Sequence, residues 1–286
     1  MAGPDPDNLD HVLALGGVKR GAAVELVPLE GGYRNTLYRL RGSGFDWVVK
    51  QYAPPDPNPL FPLLFEHEWR FLLEYGDDLM APELVAGDQE RRVLLYRYVP
   101  GLPWDGDIGG AARLLSRVAS MAGAAWLRTL PSSVAELRAH TDRIVNGVKE
   151  PPVGLLNHFD VAEVPFESRL VHTDCGPGNM IGGAGSYLLI DWQCPGLGDP
   201  VEDLVAFTSP GVQILNGRQP LTRSEIDDLL RSYVHRDVVD RYHHKAVLYR
   251  ARLAAYWAWR IERLGGDPRQ ALYRRALRGE LESLDS

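Results

Sequence analysis

The sequence predicts a two-lobed α+β fold, with a β-rich N-terminal lobe that holds one helix and a mainly helical C-terminal lobe. Three observations predict it. Between Ala23 and about Arg97, short β-branched and aromatic runs alternate with glycine clusters, as short strands joined by turns do. At residues 100–104 the stretch PGLPW interrupts that pattern. Beyond it apolar residues recur mostly at helical spacing, around one polar, glycine-rich hairpin within VHTDCGPGNMIGGAGSYLLIDWQCPG, residues 171–196. The expected lobes are residues 1–99 and 100–286.

Residues 1 to about 10 are rich in Pro, Asp, Gly and Asn and are expected to be mobile. AVELVPL, NTLYRLRG and DWVVKQY read as strands, and APPDPNPLFP, with five prolines, as a loop. LLFEHEWRFLLEYG has apolar residues at helical spacing and a terminal glycine, which predicts a helix from about Leu63 to Tyr75. PELVAGD and RRVLLYRYV are two further strands. In the second lobe, helices are expected over 110–130, 132–149, about 224–235, and 240–264, the last starting after Asp240 and stopping at Gly265-Gly266.

Composition narrows the function. The chain has 286 residues, 45% hydrophobic and 24% charged, with a net charge of −7. That is an ordinary globular composition, and its acidity argues against nucleic acid or an anionic membrane as a general partner. No apolar run approaches 18 residues, so no membrane span is expected. The N-terminus lacks the secretory pattern. The only cysteines, Cys175 and Cys194, fit a reducing cytoplasm as small buried residues, or alternatively as a redox-sensitive pair.

The chemistry concentrates in the hairpin. His172, Asp174 and Asn179 form H-x-D-x-x-x-x-N, and YLLID delivers Asp191 seventeen positions after Asp174. Asp, Asn and Gly are ordinary turn residues, but this order has a second use. In phosphoryl transfer one Asp accepts the proton of the attacking hydroxyl, while an Asn five positions on and a second Asp hold the magnesium ions that bridge the phosphates. Magnesium takes hard oxygen ligands and keeps waters and phosphates in its shell.

HTDCGPGN followed by LLIDWQ, and then GLGDPVEDLVAF, resembles the catalytic and metal loops of the aminoglycoside phosphotransferase and choline kinase superfamily. The resemblance implies a protein-kinase-like fold, with Asp174 as base, Asn179 and Asp191 as metal ligands, and His172, Asp199 and Asp203 as supports. In the N-terminal lobe, Gly31, Gly32 and Asn35 in EGGYRNTLY resemble the phosphate-covering turn, where glycines let backbone amides approach an anion. Lys50 in WVVKQY corresponds to the strand lysine that neutralises phosphates, and Glu68 in HEWRFL to its partner, with Glu66 as the alternative. LLYRYVPG resembles the inter-lobe linker, which places backbone groups of Arg97, Tyr98 and Val99 at the adenine. The matched elements run from about residue 24 to 208.

Two positions depart from the family pattern. Thr173 stands where glycine is usual and Gln193 where glutamate is common. The implied activity is transfer of the γ-phosphoryl of ATP, with Mg²⁺, to a hydroxyl of a small molecule such as a sugar, amino sugar, amino alcohol or aminoglycoside-like acceptor. The alternative is a nucleotide-binding pseudokinase or regulator. Residues 201–286 hold twelve Asp and Glu against fourteen Lys and Arg, which disfavours a polycationic acceptor. Tyr249, Tyr256, Trp257 and Trp259 suggest an aromatic cage for a quaternary ammonium or, more simply, a core stripe. Arg250, Arg252, Arg260 and Arg263 suggest attraction of an acidic or phosphorylated acceptor, or a solvated face.

Overall fold

The computed structural model describes residues 6–29, 34–76, 80–183 and 185–285. Helix α1 (Pro6–Leu15) begins inside the stretch expected to be mobile. Proline is tolerated in a first helical turn, and Leu9, Val12 and Leu13 supply an apolar face that the local composition hides. They cover Leu40, Trp47, Val49, Val93 and Leu95 in a small separate cluster.

That cluster lies on one face of a five-stranded antiparallel sheet made by β1 (Val24–Pro28), β2 (Thr36–Gly42), β3 (Phe45–Gln51), β4 (Leu84–Asp88) and β5 (Val93–Arg97), in the order β1-β2-β3-β5-β4. Side chains alternate between faces along a strand. On β3, Trp47 and Val49 therefore turn to α1, while Val48 joins the main core and Lys50 shares its side. On β5, Leu94 and Tyr96 do the same, and Lys50 pairs with Leu94 in register. Helix α2 (Phe65–Tyr75) buries Phe65, Glu68, Phe71 and Leu72. Their spacing is one helical face.

After β6 (Leu102–Pro103) comes α3 (Ile108–Ser120), capped by Asp107, whose side chain accepts the Gly110 amide. The expectation of a helix through residue 130 is corrected: α3 ends at Ser120, and Arg128–Thr129 form β7. Local spacing reads MAGAAWL as helical, but Gly123 is pressed against Leu197, where any Cβ would overlap the leucine. Helix α4 (Val134–Val145) starts at a Ser133–Glu136 capping box. It is shorter at both ends than the expected 132–149.

Strands β8 (Arg169–Val171), β9 (Met180–Gly183), β10 (Ser186–Leu189) and β11 (Gly196–Gly198) build two small sheets, β10-β9-β6 and β7-β11-β8. Then follow α5 (Val201–Thr208), α6 (Pro210–Leu215), α7 (Arg223–Ser232), α8 (Arg236–Leu264) and α9 (Gln270–Leu284). Helix α8 starts at Arg236 rather than after Asp240, because Val238 and Val239 are core residues. It stops at Gly265 in a left-handed conformation, as the Gly-Gly pair foretold. The main core runs through both halves of the chain. Phe71 of α2 stacks on Trp192 at 3.7 Å, which locks the helix under the sheet to the loop carrying Asp191. No helix among the described residues is long and apolar enough to cross a membrane.

Candidate active site

Strand alternation aims Lys50 inward, and α2 brings Glu68 beneath it. The Lys50 ammonium lies 2.6 Å from a Glu68 carboxylate oxygen and also donates to Asp191. The Tyr52 hydroxyl donates to the same Glu68 oxygen. Burial opposes the Lys50 charge, but the Asp191 and Glu68 carboxylates outweigh it and hold its pKa above the ordinary lysine value. Lys50 is thus a permanent cation joining β3, α2 and the hairpin.

The loop after β8 is held from behind. The amides of His172 and Thr173 donate to the two carboxylate oxygens of Asp203, at 2.9 and 2.8 Å. His172 is fully buried. One ring nitrogen meets the Ile190 carbonyl at 3.1 Å and the other accepts the Asp174 amide at 3.2 Å. Those contacts assign the proton to Nε2. Burial pushes the imidazole down to about 4, so it is neutral and serves as a brace. Thr173 sits at φ 74°, a left-handed geometry that favours glycine and is strained for a β-branched residue. Its hydroxyl contacts the Cys194 carbonyl at 3.1 Å and the Cys194 sulfur at 3.0 Å, which offsets part of that strain.

Asp174 stands at the cavity wall. Burial and then the nearby Asp191 charge push its carboxyl up to about 8. Asn179 closes a 3₁₀ turn, Pro177–Asn179, and its side-chain NH₂ donates to the Asp174 carbonyl at 2.8 Å. That leaves the amide oxygen as the available ligand atom. The Ile190 amide donates to the Asn179 carbonyl at 2.8 Å, so both halves of the constellation are stitched together. Gly178 is required by close approach: a Cβ there would overlap the Asn216 side-chain oxygen.

These groups line one cavity of about 480 Å³. Lys50, Asp174, Asn179 and Asp191 share its wall with Asn35 and Gln193. The Asn35 side chain donates to Gln193 at 3.4 Å and accepts the Ala53 amide at 3.2 Å, tying the start of β2 to the Asp191 loop. Gly31 and Gly32 lie outside the described residues. Arg97, Tyr98 and Val99 are not on this wall; Tyr96 is. The Arg97 and Tyr98 amides already donate to the carbonyls of Glu83 at 2.8 Å and Asp46 at 2.9 Å. Among the described residues the Asp199 carboxylate forms no hydrogen bond with residues 172–179. It is fully buried and receives Arg241 at 3.3 Å and Lys245 at 3.2 Å, anchoring α8. Both cysteines are buried, each raised by burial, Cys194 to about 12 and Cys175 well above its ordinary value.

The far wall contains residues that sequence reasoning either missed or left open. Asn58, Phe61, Asn216 and Tyr273 carry no local signal. Tyr52 does, since period 2 places it on the Lys50 face. Of the four aromatic residues considered for a cage, Tyr256 and Trp257 reach the cavity. Tyr249 and Trp259 do not line it and belong to the core.

A strand lysine paired under a sheet with a helix glutamate, facing two aspartates and an asparagine on a hairpin, defines a small-molecule kinase of protein-kinase-like fold. Residues 25–244 match the model of the phosphotransferase enzyme family, and the chain belongs to that family. Among solved structures, it is similar to the choline kinase LicA from Streptococcus pneumoniae, with 16% identity over 96% of this chain and 98% of that one and a TM-score of 0.68. A choline/ethanolamine kinase family protein from Mesorhizobium loti gives 16% identity over 98% and 94%, TM-score 0.69. A putative aminoglycoside phosphotransferase from Ralstonia eutropha gives 12% identity over 97% and 98%, TM-score 0.66. At such identities the likeness is one of fold. No curated protein sequence matches the chain.

Proposed function

We propose that this protein transfers the γ-phosphoryl group of ATP to a hydroxyl of a small molecule, with residues 1–99 covering the nucleotide and 100–286 receiving the acceptor. The observation that carries the reading is the Lys50–Glu68–Asp191 bridge beside Asp174 in one cavity. Lys50 meets the phosphates. Asp174 orients the hydroxyl and takes its proton. Asn35 lies toward the phosphates, and Arg97, Tyr98 and Val99 contribute carbonyls and the remaining amide to the adenine. His172 and Asp203 keep the Asp174 loop in register, and Asp199 supports it at a distance through α8.

The donor set fits magnesium. Among the described residues no three His, Cys, Asp or Glu side chains gather to cage an ion alone. Asn179 and Asp191 therefore supply the protein oxygens, and phosphates and water complete the shell, as magnesium prefers. The bound ion would bridge and neutralise phosphate oxygens. Gln193 lends an amide rather than a second carboxylate, which lowers the negative charge available to the ion.

The test is acceptor-dependent ADP release from Mg·ATP. Wild type should turn over at least one hydroxyl metabolite. Asp174→Asn should lose about 10²–10⁴-fold in rate, the usual worth of a general base, while binding Mg·ATP normally. Asp191→Ala should weaken Mg²⁺-dependent nucleotide binding. Wild-type turnover in the Asp174 variant would remove that residue as base.

A further inference from the structure

The charged side chains of the cavity wall sort into pairs, with two exceptions. Lys50 is bridged to Glu68 and Asp191. Asp56 is neutralised by Arg34. Asp174 forms no ion pair among the described residues, because its task is to meet the hydroxyl. The second exception is Arg260 on α8, which lines the cavity yet forms no hydrogen bond or ion pair among the described residues. Of the carboxylates nearest in sequence, Glu262 accepts the Lys149 amide at 2.7 Å, and Asp267 is bonded to Arg269 at 2.6 Å while feeling the Arg260 charge from farther off.

The surroundings of Arg260 are built. Its guanidinium lies 5.9 Å from the Tyr273 ring centre, which supports one face of the plane and leaves the N–H edge for a ligand. Next to it, the Tyr256 hydroxyl is fixed by the Asn58 side chain at 3.0 Å. Tyr256, Arg260 and Asp174 all line the same cavity. A cationic acceptor resting on the aromatic wall of Phe61, Tyr256 and Trp257 would face the Arg260 guanidinium, and of the carboxylates that line the cavity Asp56 is already paired with Arg34 and Asp191 with Lys50.

We propose that the acceptor carries an anionic group, a carboxylate or a phosphate, that pairs with Arg260 while its hydroxyl meets Asp174. The inference rests on the kinase reading above. The acceptor oxygen bonds to the γ-phosphorus as the bond to the β-bridging oxygen breaks. ADP leaves with that electron pair, and the hydroxyl proton passes to Asp174. A lone planar fork suits a carboxylate best, so small hydroxy acids are the first choice.

The experiment measures ADP release from Mg·ATP with hydroxy acids (D-glycerate, 3-hydroxybutyrate), phosphate monoesters (glycerol 3-phosphate, glucose 6-phosphate), neutral glycerol and glucose, and cationic choline and ethanolamine. Wild type is compared with Arg260→Gln, Arg260→Lys and Asp174→Asn. Turnover on an anionic arm is expected, and the two anionic arms identify which group Arg260 reads. Arg260→Gln should raise the acceptor KM by about 10–100-fold, the worth of one charged hydrogen bond, with the ATP KM unchanged and Arg260→Lys recovering part. Arg260 has only its long contact with the Tyr273 ring and no hydrogen bond or ion pair among the described residues, so the variants should melt close to wild type. Transfer confined to neutral or cationic arms, silence of both anionic arms, or an unchanged KM in Arg260→Gln would overturn the inference alone. Failure of wild type to bind Mg·ATP would instead overturn the kinase reading beneath it.

Discussion

Replacing Lys50 with methionine removes one buried charge and strands two others. At the observed 2.6 Å from Glu68 and an effective dielectric of ~20, the attraction is about 6 kcal/mol. Desolvating each ion costs several kcal/mol, so the intact pair contributes little net stability. Breaking it is different: an unpaired buried charge costs about 3–5 kcal/mol. Lys50→Met should therefore be destabilised by about that much at pH 8. The double variant Lys50→Met/Glu68→Gln should return to within about 1–2 kcal/mol of wild type while remaining inactive. The sign of the pH dependence follows from Glu68. Burial raises its folded-state pKa, with Lys50 opposing and Asp191 assisting; without Lys50 the rise grows. An acid with a raised folded pKa favours folding when protonated, so the deficit of Lys50→Met should shrink as pH falls from 8 toward 5. Urea unfolding of the three proteins at both pH values checks this. A pH-independent deficit, or a double variant as unstable as the single, would refute the reasoning.

Three further outcomes are expected. Asp199→Asn weakens the buried pairs with Arg241 and Lys245 and should cost about 3–5 kcal/mol, yet lower kcat per folded molecule only modestly, because Asp199 acts on the Asp174 loop at a distance through α8; unfolding curves and active-site titration separate the two. Gly178→Ala forces a Cβ into Asn216 and should cost about 1–3 kcal/mol as overpacking, with Asn216→Ala in the same chain restoring melting temperature. Both thiols are buried and raised, so an aromatic disulfide reagent should modify neither cysteine in the native protein and both after unfolding. Fast native labelling would revive the redox-pair alternative.

Much of the site was legible because its parts are short and local. H-x-D-x-x-x-x-N fits within eight residues, and a glycine turn returns the chain to Asp191. Lys50 stood out as a lone lysine in a β-branched run whose inward or outward face the run alone left open, and the resemblance of HEWRFL to the family pattern singled out Glu68 over Glu66. The errors fall where contacts are remote in sequence. α3 was drawn too long because β7 exists only by pairing with β11, about 70 residues downstream. α1 was read as mobile because its apolar face has meaning only against Trp47 and Leu95. For Asp199, grouped by resemblance with the supports of the Asp174 loop, no local pattern reveals that its carboxylate is paired with Arg241 and Lys245, more than 40 residues away on α8.

The amino-acid order alone thus predicted the two-part α+β architecture from periodicity and the Asp174–Asn179–Asp191 set from spacing within one hairpin, while the Lys50–Glu68 assignment came from the family resemblance. Only the tertiary structure decided which carboxylate holds the Asp174 loop, which aromatics leave the core for the cavity, and which arginine faces it without a partner. Arg250, Arg252, Arg260 and Arg263 look alike along one helix. Arg252 is neutralised at 2.7 Å by Glu202 of α5, Arg250 reaches the Tyr242 hydroxyl at 3.2 Å, and Arg263 packs on Trp259. Arg260 keeps its charge for the cavity. That distinction depends on where charges fifty or more residues apart come to lie, because pairing energy falls with distance in space and takes no account of distance along the chain.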